Sequence, residues 1–531
     1  MSASGLLFER DCGILLHPTS LPNDFGIGDF GPCAHRWLEM LAEHHQNLWQ
    51  ILPLNPAGYG DSPYQGLSAF AANPVFLSPE HLHGIGLITD GELEAQRMPR
   101  RAAVDYEEVY EKKLELGHHA QVAFFKLSQG HPLREKFGFF LEEESDWLED
   151  FALYCALKAR FGGVAWTDWP QPLRDREPGA LQAAAKECAP EIERAKLEQF
   201  FLRLQWIDVR ETASRLGIRI VGDLPIFVAH DSVDVWCNRE LFRLKADGSP
   251  SVVAGVPPDY FSKTGQLWGN PLYNWERHRS DRFGWWRRRL HKILSWVDVV
   301  RIDHFRGFEA FWEVPGGAET AAGGTWVKAP GREVFEAFVE DYGLPLPVIA
   351  EDLGVITPEV TALRDDFQLP GIRVLQFAFG TDPMADTFLP ESYEDNCVAY
   401  TGTHDNDTVI GWFNSEPGNG STRSAGEIAS ERAAALAYFG GDGAKIHFDF
   451  IRSLYRSGCS AAIVPVQDLL GLGSEARMNT PGLSSGSWRW RLDSFDALLT
   501  AMPKLAELSR FTRRGLQFDV ESEGERICSS K

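Results

Sequence analysis

Short apolar runs bounded by Gly, Pro, Asn and Asp recur along the chain, and stretches of helical period fill most of the gaps between them. Eight runs read as strands: GILLH (13–17), LWQILPL (48–54), IRIVGDLPIF (218–227), DVVRIDHF (298–305), PVIAEDL (347–353), IRVLQFAF (372–379), CVAYTGTHD (397–405) and AAIVPVQD (461–468). Several are apolar at almost every position, the pattern of parallel strands covered on both faces. Helical stretches at 35–44, 197–217, 281–297, 331–343 and 357–367 separate them. Thr357 followed by Pro358 and Glu359 reads as a helix start, with an N-cap and a proline at the first helical position. Eight strand-then-helix units predict one α/β chain closed into a (β/α)8 TIM barrel rather than two open sheets.

Two stretches interrupt this rhythm. Much of 85–205 is charged, Ala- and Leu-rich helical sequence, which predicts a large helical insertion after strand two. Residues 228–280 are dense in Gly, Pro and aromatics without a clear period, which predicts an irregular active-site loop insertion. The whole of 1–531 thus reads as a single catalytic barrel with these two elaborations.

Composition narrows the function more than the fold. The formal net charge of −23 excludes a phosphate-binding surface as the main business of the chain, so no nucleic acid is expected as a partner. No segment has the unbroken apolar run of a membrane helix, and the N-terminus lacks a basic-then-apolar leader pattern; no membrane partner is expected, and the reading is cytoplasmic. Eight dispersed cysteines without a C-x-x-C pair read as free thiols in a reducing compartment, not as a zinc or redox motif. No ordered calcium loop occurs, and neither a metal nor another cofactor is expected. Seventeen Trp supply core packing first, and aromatic faces suited to sugar rings second.

In a barrel of this kind the active site lies at the C-terminal ends of the strands. Strand four ends in RIDHFRG, bringing Arg301, Asp303 and His304 to its tip. Strand five ends in IAEDLG with Glu351 and Asp352, strand seven in YTGTHDND with His404 and Asp405, and strand three in VGDLPIF with Asp223. One acid at a strand end is more often a helix cap or turn residue than a catalyst. Acids on three tips, two beside His and one near Arg, fit glycoside chemistry, which needs one ionised and one protonated carboxyl group. Neighbouring strands four and five would supply that pair, with the Arg301 cation placed to favour a charged nucleophile.

The same residues carry a resemblance. RIDHFRG, AEDLG and TGTHDN, with GILLHPTSLP, QILPLNP, YGDSPYQGLSAFAANP, GDLPIFVAHDSVDVW, GVPPDYFSKTGQLWGNPLYNW, PVQDLLGLGSEARMNTPG and SWRWRL, resemble the amylomaltases or disproportionating enzymes of glycoside hydrolase family 77, over about residues 12–492. Ser487 and Ala72 stand where Asn and Gly are frequent in that family. The resemblance implies Asp303 as nucleophile, Glu351 as acid/base and Asp405 as transition-state stabiliser. It implies that Tyr59, Asp259, Trp268, Asn270, Arg301, His304 and His404 help form glucan subsites. The implied activity is 4-α-glucanotransfer among malto-oligosaccharides derived from starch or glycogen. An α-amylase-type hydrolase and a catalytically silent glucan-binding barrel are the alternatives, and the sequence leaves the oligomeric state open.

Overall fold

The computed structural model describes residues 5–258, 264–418, 423–483 and 485–516. Twelve strands lie among the described residues: β1 (Asp11–Leu15), β2 (Leu48–Gln50), β3 (Arg219–Pro225), β4 (Val252–Val256), β5 (Gln266–Pro271), β6 (Val299–Asp303), β7 (Ala310–Pro315), β8 (Thr325–Lys328), β9 (Val348–Ala350), β10 (Gly371–Val374), β11 (Cys397–Tyr400) and β12 (Ala461–Pro465). Eight of them close into an all-parallel barrel in the order β1-β12-β11-β10-β9-β6-β3-β2. These are the eight runs that the apolar pattern marks as strands.

Alternation explains why those runs are apolar throughout. Leu15, Leu48, Val221, Val299, Ile349, Ile372, Val398 and Ile463 form one cluster, the filling of the barrel. Their neighbours Ile14, Trp49, Ile220, Val300, Val348, Ala399 and Ala462 belong to a second cluster, outside the barrel wall. Successive strand residues point to opposite faces, and here both faces are dry.

The strands are shorter than the runs imply. The run 372–379 leaves the sheet after Val374 and continues as a turn of 3₁₀ helix, Leu375–Phe379, whose Leu375, Gln376, Ala378 and Phe379 stay buried. The run 461–468 turns into the helix Val466–Leu470. β11 ends at Tyr400, so Asp405 stands five residues beyond the strand instead of at its tip. Apolar residues in these runs serve burial, which a turn provides as well as a strand. Thr357 takes the extended N-cap conformation of the helix Pro358–Asp366, with the proline in its first turn.

Between β2 and β3 run several helices, among them Tyr106–Lys126, Pro132–Glu143, Leu148–Arg160 and the 27-residue Ala189–Arg215. Edge-on and tilted ring contacts among Phe124, Phe137, Phe140 and Phe200 join them. The stretch 228–280 departs from the irregular loop expected of it. β4 and β5 lie within it and pair antiparallel, and with β7 and β8 they make a second, four-stranded sheet in the order β5-β4-β7-β8. The β4–β7 ladder joins residues about sixty positions apart, a pairing that local period cannot reveal. Among the described residues no helix is long and apolar enough to cross a membrane, no His, Cys, Asp or Glu group could hold a metal, and seven cysteines are free thiols.

Candidate active site

Period-two alternation along β6 sends Val299, Arg301 and Asp303 to the same face as the barrel filling, one above another. On β3, Val221 and Asp223 do the same, and Asp223 pairs in register with Arg301. The guanidinium is almost fully buried between two carboxylates: Nη1 lies 2.7 Å from Asp223 Oδ2 and Nη2 lies 3.0 Å from Asp303 Oδ1. Asp303 keeps 29% of its side-chain surface open, whereas Asp223 keeps none. The upper acid therefore faces the mouth, and the lower one anchors the cation beneath it.

Glu351 follows β9 directly and shares the inward face with Ile349. Its position depends on an unusual backbone. His304 sits in the left-handed region at φ 55°, and its amide donates to Glu351 Oε2 at 2.7 Å. A left-handed histidine is uncommon, and such strain gathers at functional sites. Burial pushes the Glu351 carboxyl up, to about 8, against the pull of Arg301 and with the help of the Asp303 charge. Burial also raises Asp223, to about 7, with Arg301 opposing and the Asp303 charge adding to the rise. The adjacent Asp352 points the other way, out of the barrel. There it binds Arg364 Nη1 at 2.7 Å and accepts from the Ile372 amide, an anchoring role.

Asp405 is held from three sides. Asn479 Nδ2 donates to Oδ1 at 2.6 Å, Arg477 Nη2 donates to its carbonyl at 2.7 Å, and His404 Nε2 lies 3.5 Å from Oδ2. Its side chain is 42% exposed, against 29% for Asp303. His404 is buried, and that burial lowers its pKa, leaving a neutral imidazole at neutral pH. His304 is likewise lowered, to about 4, by burial.

Of the remaining residues marked in the sequence, Trp268 lies in β5, not in a loop, with its ring 4.8 Å from that of His304 at 86°. Asn270, also on β5, is buried; its amide donates to the Val228 carbonyl and its oxygen accepts from Gln65, so it braces the wall of the site. Asp259 and the Tyr59 side chain lie outside the described residues. Ser487 serves the site indirectly, its hydroxyl accepting from the Thr480 amide next to Asn479.

Two residues escaped the sequence reading. The Tyr64 hydroxyl donates to Asp223 Oδ2 at 2.9 Å, and its ring stacks on His404 at 5.1 Å. Tyr64 is the second tyrosine of G-Y-G-D-S-P-Y, and the motif alone could not tell it from Tyr59. Trp488 completes a wall of three rings, 5.6 Å from Tyr64 and 5.9 Å from His404. It too is left-handed, at φ 68°, with its amide on the Met478 carbonyl and its own carbonyl accepting from the Tyr106 hydroxyl. A local signal for it existed only in the SWRWRL motif.

The site thus joins a paired carboxylate, a carboxyl group held protonated beside it, a third acid at the rim and an aromatic wall. Comparison with known proteins agrees with that chemistry. Residues 16–497 match the family model described as 4-alpha-glucanotransferase. The chain is 48% identical over 493 residues to a 4-alpha-glucanotransferase of Thermus thermophilus, covering 91% of this chain and 95% of that one. It is 44% identical over 491 residues to one of Synechocystis sp., covering 92% and 94%. Among solved structures it resembles the amylomaltase of Streptococcus agalactiae in complex with acarbose, with a TM-score of 0.89 at 36% identity, covering 96% of this chain and 100% of that one.

Proposed function

Because the chain belongs to the 4-alpha-glucanotransferase family, we propose that its three acids carry a retaining double displacement on α-1,4-linked glucans. The transferase activity itself follows from the family, and neither the hydrolase nor the silent barrel is favoured. In the first step Asp303 attacks the anomeric carbon, the bond from that carbon to the leaving 4-oxygen breaks, and Glu351 gives its proton to that oxygen. In the second step Glu351 takes the proton from the 4-hydroxyl of an acceptor glucan or glucose. The freed oxygen attacks the same carbon and displaces Asp303. Two inversions leave the linkage α.

The observation that carries this reading is the opposed environments of the two acids. Asp303 is paired at 3.0 Å with a buried guanidinium, while burial beside that charge keeps Glu351 protonated through neutrality. The Asp303 charge is one of the causes that raise Glu351. Once Asp303 is esterified the charge is gone, so the Glu351 pKa falls and the same group is ready to act as base. Asp405, open and braced, is placed to hydrogen-bond ring hydroxyls of the distorted sugar. Asp223 Oδ1, buried without a partner among the described residues, offers a further acceptor to a hydroxyl. Malto-oligosaccharides from starch or glycogen are the proposed substrates, and the free thiols support a cytoplasmic setting.

Transfer demands that an acceptor sugar outcompete water, so the acceptor must be held and water kept out. Trp268, against His304 on the edge strand of the second sheet, is the residue proposed for this task. Incubation with maltotriose alone should give a ladder of longer and shorter glucans; glucose and maltose alone would mark a hydrolase, and no product a silent barrel. Trp268→Ala should raise the ratio of hydrolysis to transfer several-fold, read as glucose released per longer product formed. An unchanged ratio at reduced rate would place acceptor selection elsewhere.

A further inference from the structure

Trp326 on β8 is 40% exposed, an unusual placement for the largest apolar side chain. Its surroundings make it a fixed surface. The Arg306 guanidinium, itself only 6% exposed, lies 3.7 Å from the ring centroid and covers one face. The Trp312 ring, directly across the β7–β8 ladder, meets it at 5.3 Å and 68°. Trp312 is pinned in turn by its indole N–H, which donates to the Ala321 carbonyl at 2.8 Å. With a guanidinium over the ring and a second indole against it, Trp326 is held in place and still keeps 40% of its surface exposed. Arg306 also donates to the carbonyl of Val355, a residue 61% exposed. On the same strand the exposed Lys328 pairs with Glu309.

A held, partly exposed ring with an exposed aliphatic residue nearby and charged groups at its border suits a ligand that is apolar in the plane and hydroxylated at its rim, which describes a sugar ring. A single exposed aromatic residue is common and needs no explanation. What distinguishes this one is its continuity with the catalytic groups. Arg306 belongs to the turn Phe305–Phe308 that follows Asp303, and Val355 stands four residues after Glu351. The opposite edge of the same sheet touches the site through Trp268 and His304.

We propose that Trp326, stacked on Arg306, is a docking platform for α-1,4-glucan chain extending beyond the units that flank the cleaved bond. The proposal rests on the transferase reading, and on this account long glucans gain a contact beyond the units that flank the cleaved bond. The test compares wild type, Trp326→Ala and Trp326→Phe on maltotriose and on long linear amylose. Trp326→Ala should raise KM for amylose about 3- to 10-fold, the range expected for loss of one stacked ring, with kcat and all maltotriose kinetics within about twofold. Trp326→Phe, which keeps a flat face, should recover most of the loss. Equal losses on both substrates would overturn the proposal in favour of a structural role for the ring. Unchanged amylose kinetics would overturn it as well, and so would a change in sedimentation mass, which would make this face a contact between copies. Failure of wild type to form a ladder from maltotriose would instead strike the transferase reading.

Discussion

Asp303→Asn should lower transfer from maltotriose by roughly 10⁴- to 10⁶-fold, the scale on which loss of a covalent nucleophile is felt. The amide has nearly the shape of the carboxylate but cannot attack the anomeric carbon or carry the glycosyl group. The fold should survive, because Arg301 retains its lower partner Asp223 at 2.7 Å and Asp303 is partly open to solvent. Unfolding curves of mutant and wild type should therefore overlay closely while single-turnover rates diverge. Near-normal turnover with an intact fold would remove Asp303 from the centre of the mechanism.

Glu351→Gln should be crippled in a different manner. A sugar leaving group departs only with a proton, so transfer from maltotriose should fall by roughly 10²- to 10⁴-fold, the usual worth of a positioned acid. A glycosyl fluoride needs no proton to leave, so its first-step rate should fall far less. Equal losses on the two donors would indicate a bracing role. The pH dependence follows from the direction of the shift. The carboxyl is raised from 4.5 to about 8, so the acid form persists through neutrality and is lost as pH rises through that value. The alkaline limb of kcat/KM in wild type should report this loss and vanish in the glutamine variant. Stability changes with the same sign. The folded state holds the proton more tightly than the unfolded chain, so the contribution of Glu351 is fully present below its ordinary pKa and is lost as pH rises toward 8. Glutamine never ionises. Its Tm should exceed that of wild type by a few degrees at pH 8, and the gap should close toward pH 4.

The barrel and its acids were legible in the sequence for one physical reason. A parallel strand buried on both faces is apolar throughout, so a charged residue within such a run stands out, and alternation says which way it points. Arg301 and Asp303 share a face by spacing alone, and Glu351 follows Ile349 by the same rule. Runs that remained largely apolar past the sheet hid the true ends of β10 and β12, whereas β11 stops at Tyr400 and the polar Thr401–Asp405 stretch forms the turn that carries Asp405. The second sheet was invisible because β4 finds β7 across some sixty residues, and Gly- and Pro-rich sequence has no period to announce the pairing. Tyr64 and Trp488 were hidden for a related reason: each acts through a ring partner remote in sequence, and neither turn reveals what it will face. The left-handed backbones of His304 and Trp488 carry no sequence signal, because neither residue is a glycine.

The central claim is that a glycosyl group is held covalently on one named oxygen-bearing side chain. A fluorinated glycosyl fluoride that forms the intermediate quickly and releases it slowly should trap that species, and peptide mass spectrometry can locate it. One adduct is expected, in stoichiometric yield, on the peptide containing Asp303, and none in Asp303→Asn. An adduct on Glu351 or Asp405, or inactivation without any adduct, would contradict it.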